Sequence, residues 1–105
     1  FAFVNVLHTR LNQDAELVQA VKPGRWLWDV RQEPAGLKVG SGQARLLSCL
    51  RVLTVGTDMG VGKMSTSLEL HRACLARGLR SKFLASGQAG IMISGQGIPL
   101  DAIRV

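Results

Sequence analysis

The apolar positions of this chain fall in short blocks separated by glycine, proline and polar clusters, and the spacing within the blocks changes along the sequence. Phe1-Ala2-Phe3-Val4-Asn5-Val6 has the length and composition of one buried strand. Residues 7–13 are polar and turn-like. Across residues 14–21, Leu17, Val18 and Val21 recur at helical spacing. That predicts a helix with Asp14 and Glu16 at its positive end. Pro23-Gly24 stops it. Trp26-Leu27-Trp28-Asp29-Val30 reads as a second strand, its Trp and Leu side chains alternating between two faces. Asp29 closes that apolar run in the manner of a metal-binding Walker B strand, although two-faced packing explains the pattern better. Residues 32–42 hold Pro34, Gly36, Gly40, Ser41 and Gly42 and form the best linker. Residues 43–50 fit neither period.

The second half is ordered differently. Arg51-Val52-Leu53-Thr54-Val55 suits a buried strand. The glycine-rich run Gly56-Thr57-Asp58-Met59-Gly60-Val61-Gly62 follows, and from Lys63 the pattern turns helical. Met64, Leu68, Cys74 and Leu75 form an apolar set, while Glu69, Arg72 and Arg77 can face water. Gly78 sits just past the helix end. Residues 82–86 read as the next strand and residues 90–94 as another short apolar run of the same kind. Strand, loop, helix, strand is a βαβ unit, which predicts an α/β fold with a parallel sheet.

Composition narrows the possibilities. A chain of 105 residues that is 47% hydrophobic and 19% charged is a globular piece rather than a disordered one. No apolar run reaches the roughly 18 residues needed to cross a bilayer, so no membrane partner is expected. The net charge of +6 raises the question of nucleic acid. The basic residues are scattered, however, and aromatics make up only 5% with no Tyr. A stacking platform for bases is not built that way, and no nucleic-acid partner is expected. Cys49 and Cys74 are far apart, and His8 and His71 do not complete a zinc cluster. The two cysteines read as reduced, mostly buried thiols of a cytoplasmic protein. His71, mid-helix, reads as a surface residue. The start lacks Met and a basic leader, and the end is an apolar run, so the chain reads as an internal piece of a longer protein.

The chemistry is concentrated after residue 55. A helix N-terminus carries unpaired N–H groups and about half a positive charge. Residues without bulky side chains let several N–H groups converge on one anion, and Gly56, Gly60 and Gly62 supply that freedom. Lys63 adds a full positive charge where it disfavours the helix by roughly 0.3–1 kcal/mol. A bound phosphate would remove the conflict. The common phosphate loop G-x-x-x-x-G-K-[ST] has four residues between its glycines and a hydroxyl after the lysine, which holds Mg²⁺. Here five residues separate Gly56 from Gly62 and Met64 follows Lys63. Ser65 and Thr66 come later, rotated by about 100° per residue. The loop is thus a phosphate grip whose metal function is open. Asp58 is a candidate to orient a nucleophile, to hold a ligand amine or to cap the turn.

VGTDMGVGKMSTSLEL, followed by FLASGQAGIMISGQGIPLDAI, resembles the P-loop family that includes D-glutamate N-acetyltransferases, many of whose members carry names such as NAD-dependent epimerase/dehydratase or domain of unknown function. Met64 is usual in that family. Ser86 and Ala89 stand where its pattern has Thr. The loop is also similar to that of dethiobiotin synthetases. The resemblance is strongest over residues 51–103. It implies that residues 1–42 are the end of a Rossmann-like domain with a linker, and that residues 43–105 begin a P-loop domain whose parallel sheet is only partly present.

It further implies an acetyltransferase with acetyl-CoA as donor and an amino acid as acceptor. Gly56, Thr57, Asp58, Gly60, Val61, Gly62, Lys63, Met64 and Ser65 would then hold the cofactor. Gly87, Gln88, Gly90 and Asp101 would serve the substrate, Gly95-Gln96-Gly97 lying at a similar position after a strand. Transfer to an amine needs a base to take the ammonium proton. The alternatives are an ATP- and Mg²⁺-dependent ligase or kinase-like enzyme and a nucleotide-binding module without catalysis. Open strand edges on so small a piece predict association into a homo-oligomer.

Overall fold

A computed structural model describes residues 2–102 of the chain. The fold is α/β. Strand β1 (Ala2–Asn5) pairs in parallel with β2 (Trp26–Asp29), Ala2 opposite Trp26 and Asn5 opposite Asp29. Helix α1 (Ala15–Ala20) lies between them in sequence. The βαβ unit predicted for the second half is therefore realised in the first, because here two strands find each other's backbone. Asp14 caps α1, its carboxylate accepting from the N–H groups of Glu16 (3.0 Å) and Leu17 (3.1 Å).

The sheet is held at its carboxyl end by buried polar groups. Asn5 and Asp29 are each only 4% exposed, whereas Phe3 and Trp26 lie more than half in the open. The strand expected to be buried along its length is thus buried only at Asn5. The Asn5 Nδ2 donates to Asp29 Oδ1 (2.6 Å) and to Thr9 O (2.6 Å), and its Oδ1 accepts from Leu7 N–H (3.0 Å). Asp29 also accepts from the N–H groups of Leu11 (3.2 Å) and Asn12 (2.8 Å), which fixes the 3-10 turn Leu11–Gln13. Burial pushes the Asp29 carboxyl up, but the bonds from Asn12, Asn5 and Leu11 and the charge of Arg10 together outweigh it and hold the group below the usual carboxylate range. A carboxylate already accepting from three donors is a structural tie, which replaces the Walker B reading of Asp29.

By its internal contacts the chain divides into two compact units, residues 1–39 with 84–105 and residues 40–83. In the first, Val30, Ala85 and Ile91 are buried, as is the polar pair. Ala85 and Gly97 form an isolated parallel bridge, and α3 (Gln88–Ser94) lies between them in sequence. Residues 90–94 are therefore helical, not extended. Gly87 and Gly95 bracket the run as caps, and Ser94 Oγ donates back to Gly90 O (2.8 Å). At the bridge a Cβ on Gly97 would lie 2.2 Å from Ala85 O, so the absent side chain admits a neighbouring backbone.

In the second unit, α2 (Lys63–Ala76) ends in a Schellman motif. Leu79 N–H reaches Cys74 O (3.0 Å), Gly78 N–H reaches Leu75 O (2.9 Å), and Gly78 has φ +73°. The returning chain brings Ser81 Oγ to His71 Nδ1 (2.8 Å), so this histidine is half-buried and partnered rather than a bare surface residue. Residues 51–55 are not a strand. Among the described residues no segment pairs with them, and Leu53 and Val55 are at least 80% exposed. Apolar, β-branched sequence supplies propensity, but a strand exists only through a ladder. Residues 82–86 fail likewise, save for Ala85 in its bridge. Cys49 is exposed and Cys74 half-buried, which corrects the expectation of two mostly buried thiols. No helix among the described residues is long and apolar enough to cross a membrane.

Candidate functional site

The loop ahead of α2 is shaped by its glycines. Gly60 and Gly62 have φ of +70° and +95°, left-handed values that side-chain-bearing residues rarely adopt. Gly56 meets a different demand. A Cβ there would lie 2.7 Å from Val61 Cγ2 and 3.3 Å from Lys63 Cδ, so the lysine stem runs across the space a side chain would fill. Gly62 is the N-cap of α2, and its carbonyl accepts the first helical bond, from Thr66 N–H (2.9 Å). It supplies no side-chain acceptor, and the first turn contains no acid. Among the described residues no N-cap side chain closes the start of the helix, and a lysine is its first residue.

Lys63 Nζ donates to the carbonyl of Asp58, folding its charge over the loop. The Asp58 carboxylate accepts from the N–H of the next residue, Met59 (2.7 Å). Thr57, Val61, Met64 and Ser65 are exposed along the same stretch. Behind the loop, Thr54 Oγ1 and Ser67 Oγ share a hydrogen bond (2.7 Å) that ties the preceding segment to the second turn of α2. That tie was not singled out from the sequence, because hydroxyls thirteen positions apart carry no spacing signal.

The remaining candidates lie in the other unit. Gln88 is the first residue of α3, half-buried; Gly90 is buried within that helix; Gly87 caps it with open space around its Cα. Gln88 and Asp101 are brought together by a residue the sequence reading passed over, Arg31. Its Nη2 donates to Gln88 Oε1 (2.9 Å), its Nη1 to Asp101 Oδ2 (3.0 Å), and its Nε to Val6 O (2.8 Å). The Arg31 side chain is only 18% exposed. His8 Nδ1 stands 3.4 Å from Asp101 Oδ2. Hydrogen bonding from Arg31, opposed by partial desolvation and aided by the charges of Arg31 and His8, holds the Asp101 carboxyl below the usual range. Val6, His8 and Arg31 lie just past the carboxyl ends of β1 and β2, the edge of a parallel sheet where ligands collect, and Gln88 lies three residues past the separate bridge residue Ala85. A basic residue two places beyond a strand end was the available signal.

Comparison with known proteins identifies the family. A family model described as "Domain of unknown function (DUF1611_C) P-loop domain" matches residues 38–105. A D-glutamate N-acetyltransferase of Tritonibacter scottomollicae is 40% identical over 104 residues, 98% of this chain and 31% of that protein. A second D-glutamate N-acetyltransferase, from a Pseudoalteromonas species, is 41% identical over 101 residues, 95% of this chain and 30% of that protein. The crystal structure of a DUF1611 family protein from Anabaena variabilis is 60% identical and superposes with a TM-score of 0.88, covering 100% of this chain and 31% of that one. The chain therefore spans about a third of the length of the relatives it matches. With the family model covering more than half of its residues, the chain belongs to the DUF1611 family and carries that family's P-loop domain sequence.

Proposed function

We propose that this chain is the phosphate-gripping portion of an N-acetyltransferase that uses acetyl-CoA to acetylate the amine of D-glutamate or a closely similar amino acid. The observation that carries the reading is the start of α2: a glycine N-cap without a side-chain acceptor, no acid in the first turn, and Lys63 bonded among the described residues to a loop carbonyl. A phosphate of coenzyme A fits such a start, because the N–H groups of Lys63, Met64 and Ser65 and the Lys63 ammonium would replace weak partners with an anion. Gly56 leaves room for the lysine stem, so Lys63 can swing from Asp58 O to the ligand without rebuilding the loop. Acetyl-CoA, when bound, supplies an acyl group activated as a thioester.

Met64 favours this reading over an ATP-dependent ligase, since the hydroxyl that would hold Mg²⁺ beside the lysine is missing. The names of the relatives support acetyl transfer to an amino acid. The test is product formation. The protein at its full encoded length, supplied with acetyl-CoA and D-glutamate in the presence of a chelator, should give N-acetylglutamate detectable by mass. Hydrolysis of ATP coupled to ligation, with no acetylated product, would overturn the proposal.

A further inference from the structure

Gln88 faces a partner that fixes its orientation. A guanidinium has donors only, so an amide touching Arg31 must turn its oxygen toward it. The Arg31 Nη2 to Gln88 Oε1 bond of 2.9 Å is that contact. The Gln88 amide nitrogen, with two hydrogens to give, is therefore directed away from Arg31, and no acceptor among the described residues takes it. The same guanidinium holds Asp101 at 3.0 Å from its other terminal nitrogen. One arginine, anchored through Nε to the Val6 carbonyl just past β1, thus holds the Gln88 amide and the Asp101 carboxylate on its two terminal nitrogens.

Resting on the acetyltransferase reading, we infer that Arg31 is a positioning residue for the acceptor amino acid, turning the Gln88 NH₂ toward a substrate carboxylate and the Asp101 carboxylate toward the substrate ammonium. The pairing matches the chemistry of an α-amino acid, which carries an acceptor and a donor on one carbon. Asp101 is kept ionised by Arg31 and His8, so it orients the ammonium and is a poor group to deprotonate it.

Two substitutions in the full-length protein separate positioning from mere stability. Gln88→Glu keeps an acceptor for Arg31 but has no donor. Calorimetric titration should show the Kd for D-glutamate raised about tenfold or more, with the melting temperature unchanged or higher. Arg31→Lys keeps the charge but cannot make three directed bonds. It should reduce the preference for D-glutamate over glutarate, which lacks the amine, rather than weaken both ligands equally. An unchanged Kd in Gln88→Glu, or an unchanged preference in Arg31→Lys, overturns the inference while leaving acetyl transfer by the parent protein standing. A parent protein that acetylates no amino acid and binds no D-glutamate overturns the function reading, and this inference with it.

Discussion

The chain contains two helix starts built on opposite plans. At α1, Asp14 accepts from the second and third N–H groups of the helix, and Glu16 adds negative charge to the first turn. At α2, Gly62 offers no acceptor, no acid follows, and Lys63 places a cation against the positive end of the dipole. The first arrangement satisfies the helix from within; the second leaves it short of an anion. Both helices form, so the deficit at α2 is tolerated rather than disabling. A start that costs stability and sits in a loop with two left-handed glycines is the arrangement that the proposed phosphate site requires.

The contrast can be broken most sharply at Lys63. Lys63→Ala should weaken coenzyme A binding by about 1.5–3 kcal/mol, the worth of a hydrogen bond to a charged group, while stability holds or rises slightly because the unfavourable helix-end charge is gone. Asp14→Ala should do the reverse. It should cost roughly 1 kcal/mol of stability by removing a cap, measured by urea unfolding, and leave coenzyme A affinity untouched. Met64→Glu gives α2 the first-turn acid that α1 has. The helix should gain about 0.3–1 kcal/mol and the phosphate should bind less well, so the two readouts move in opposite directions.

The smallest effect near neutrality is that of pH. The folded-state pKa of Asp29 lies below its unfolded value, so the stability it contributes is complete above that unfolded value, about 3.9. It is lost as pH falls through the folded value. Stability should therefore be flat on this account between about pH 5 and 8 and fall below about pH 4. In Asp29→Asn that acid-limb loss should be reduced, a difference visible in melting temperatures measured across the acid range.

The two starts also show what a sequence reveals. The charge of Asp14 at the start of α1 and the place of Lys63 at the start of α2 were legible, because glycines and dipole charges are local signals that need no knowledge of the rest of the fold; that Asp14 is the cap itself was not read. The strands were legible only where a partner exists. Of the first two runs, Ala2–Asn5 pairs with Trp26–Asp29; among the described residues the run at 51–55, with stronger β-branched character, pairs with nothing. Residues 90–94 were misread because a five-residue apolar run has no period of its own, and the informative residues were the flanking Gly87 and Gly95. Arg31 was missed for a related reason. Its partners lie at positions 6, 88 and 101, and no spacing along the chain announces a contact made by three separate chain returns.

The most direct test of the central claim is a calorimetric titration of coenzyme A, without Mg²⁺, into the full-length protein and its Lys63→Ala variant. The account predicts saturable binding to the parent and an affinity about 10- to 150-fold lower in the variant. No binding by the parent, or equal affinity in the two, would contradict it.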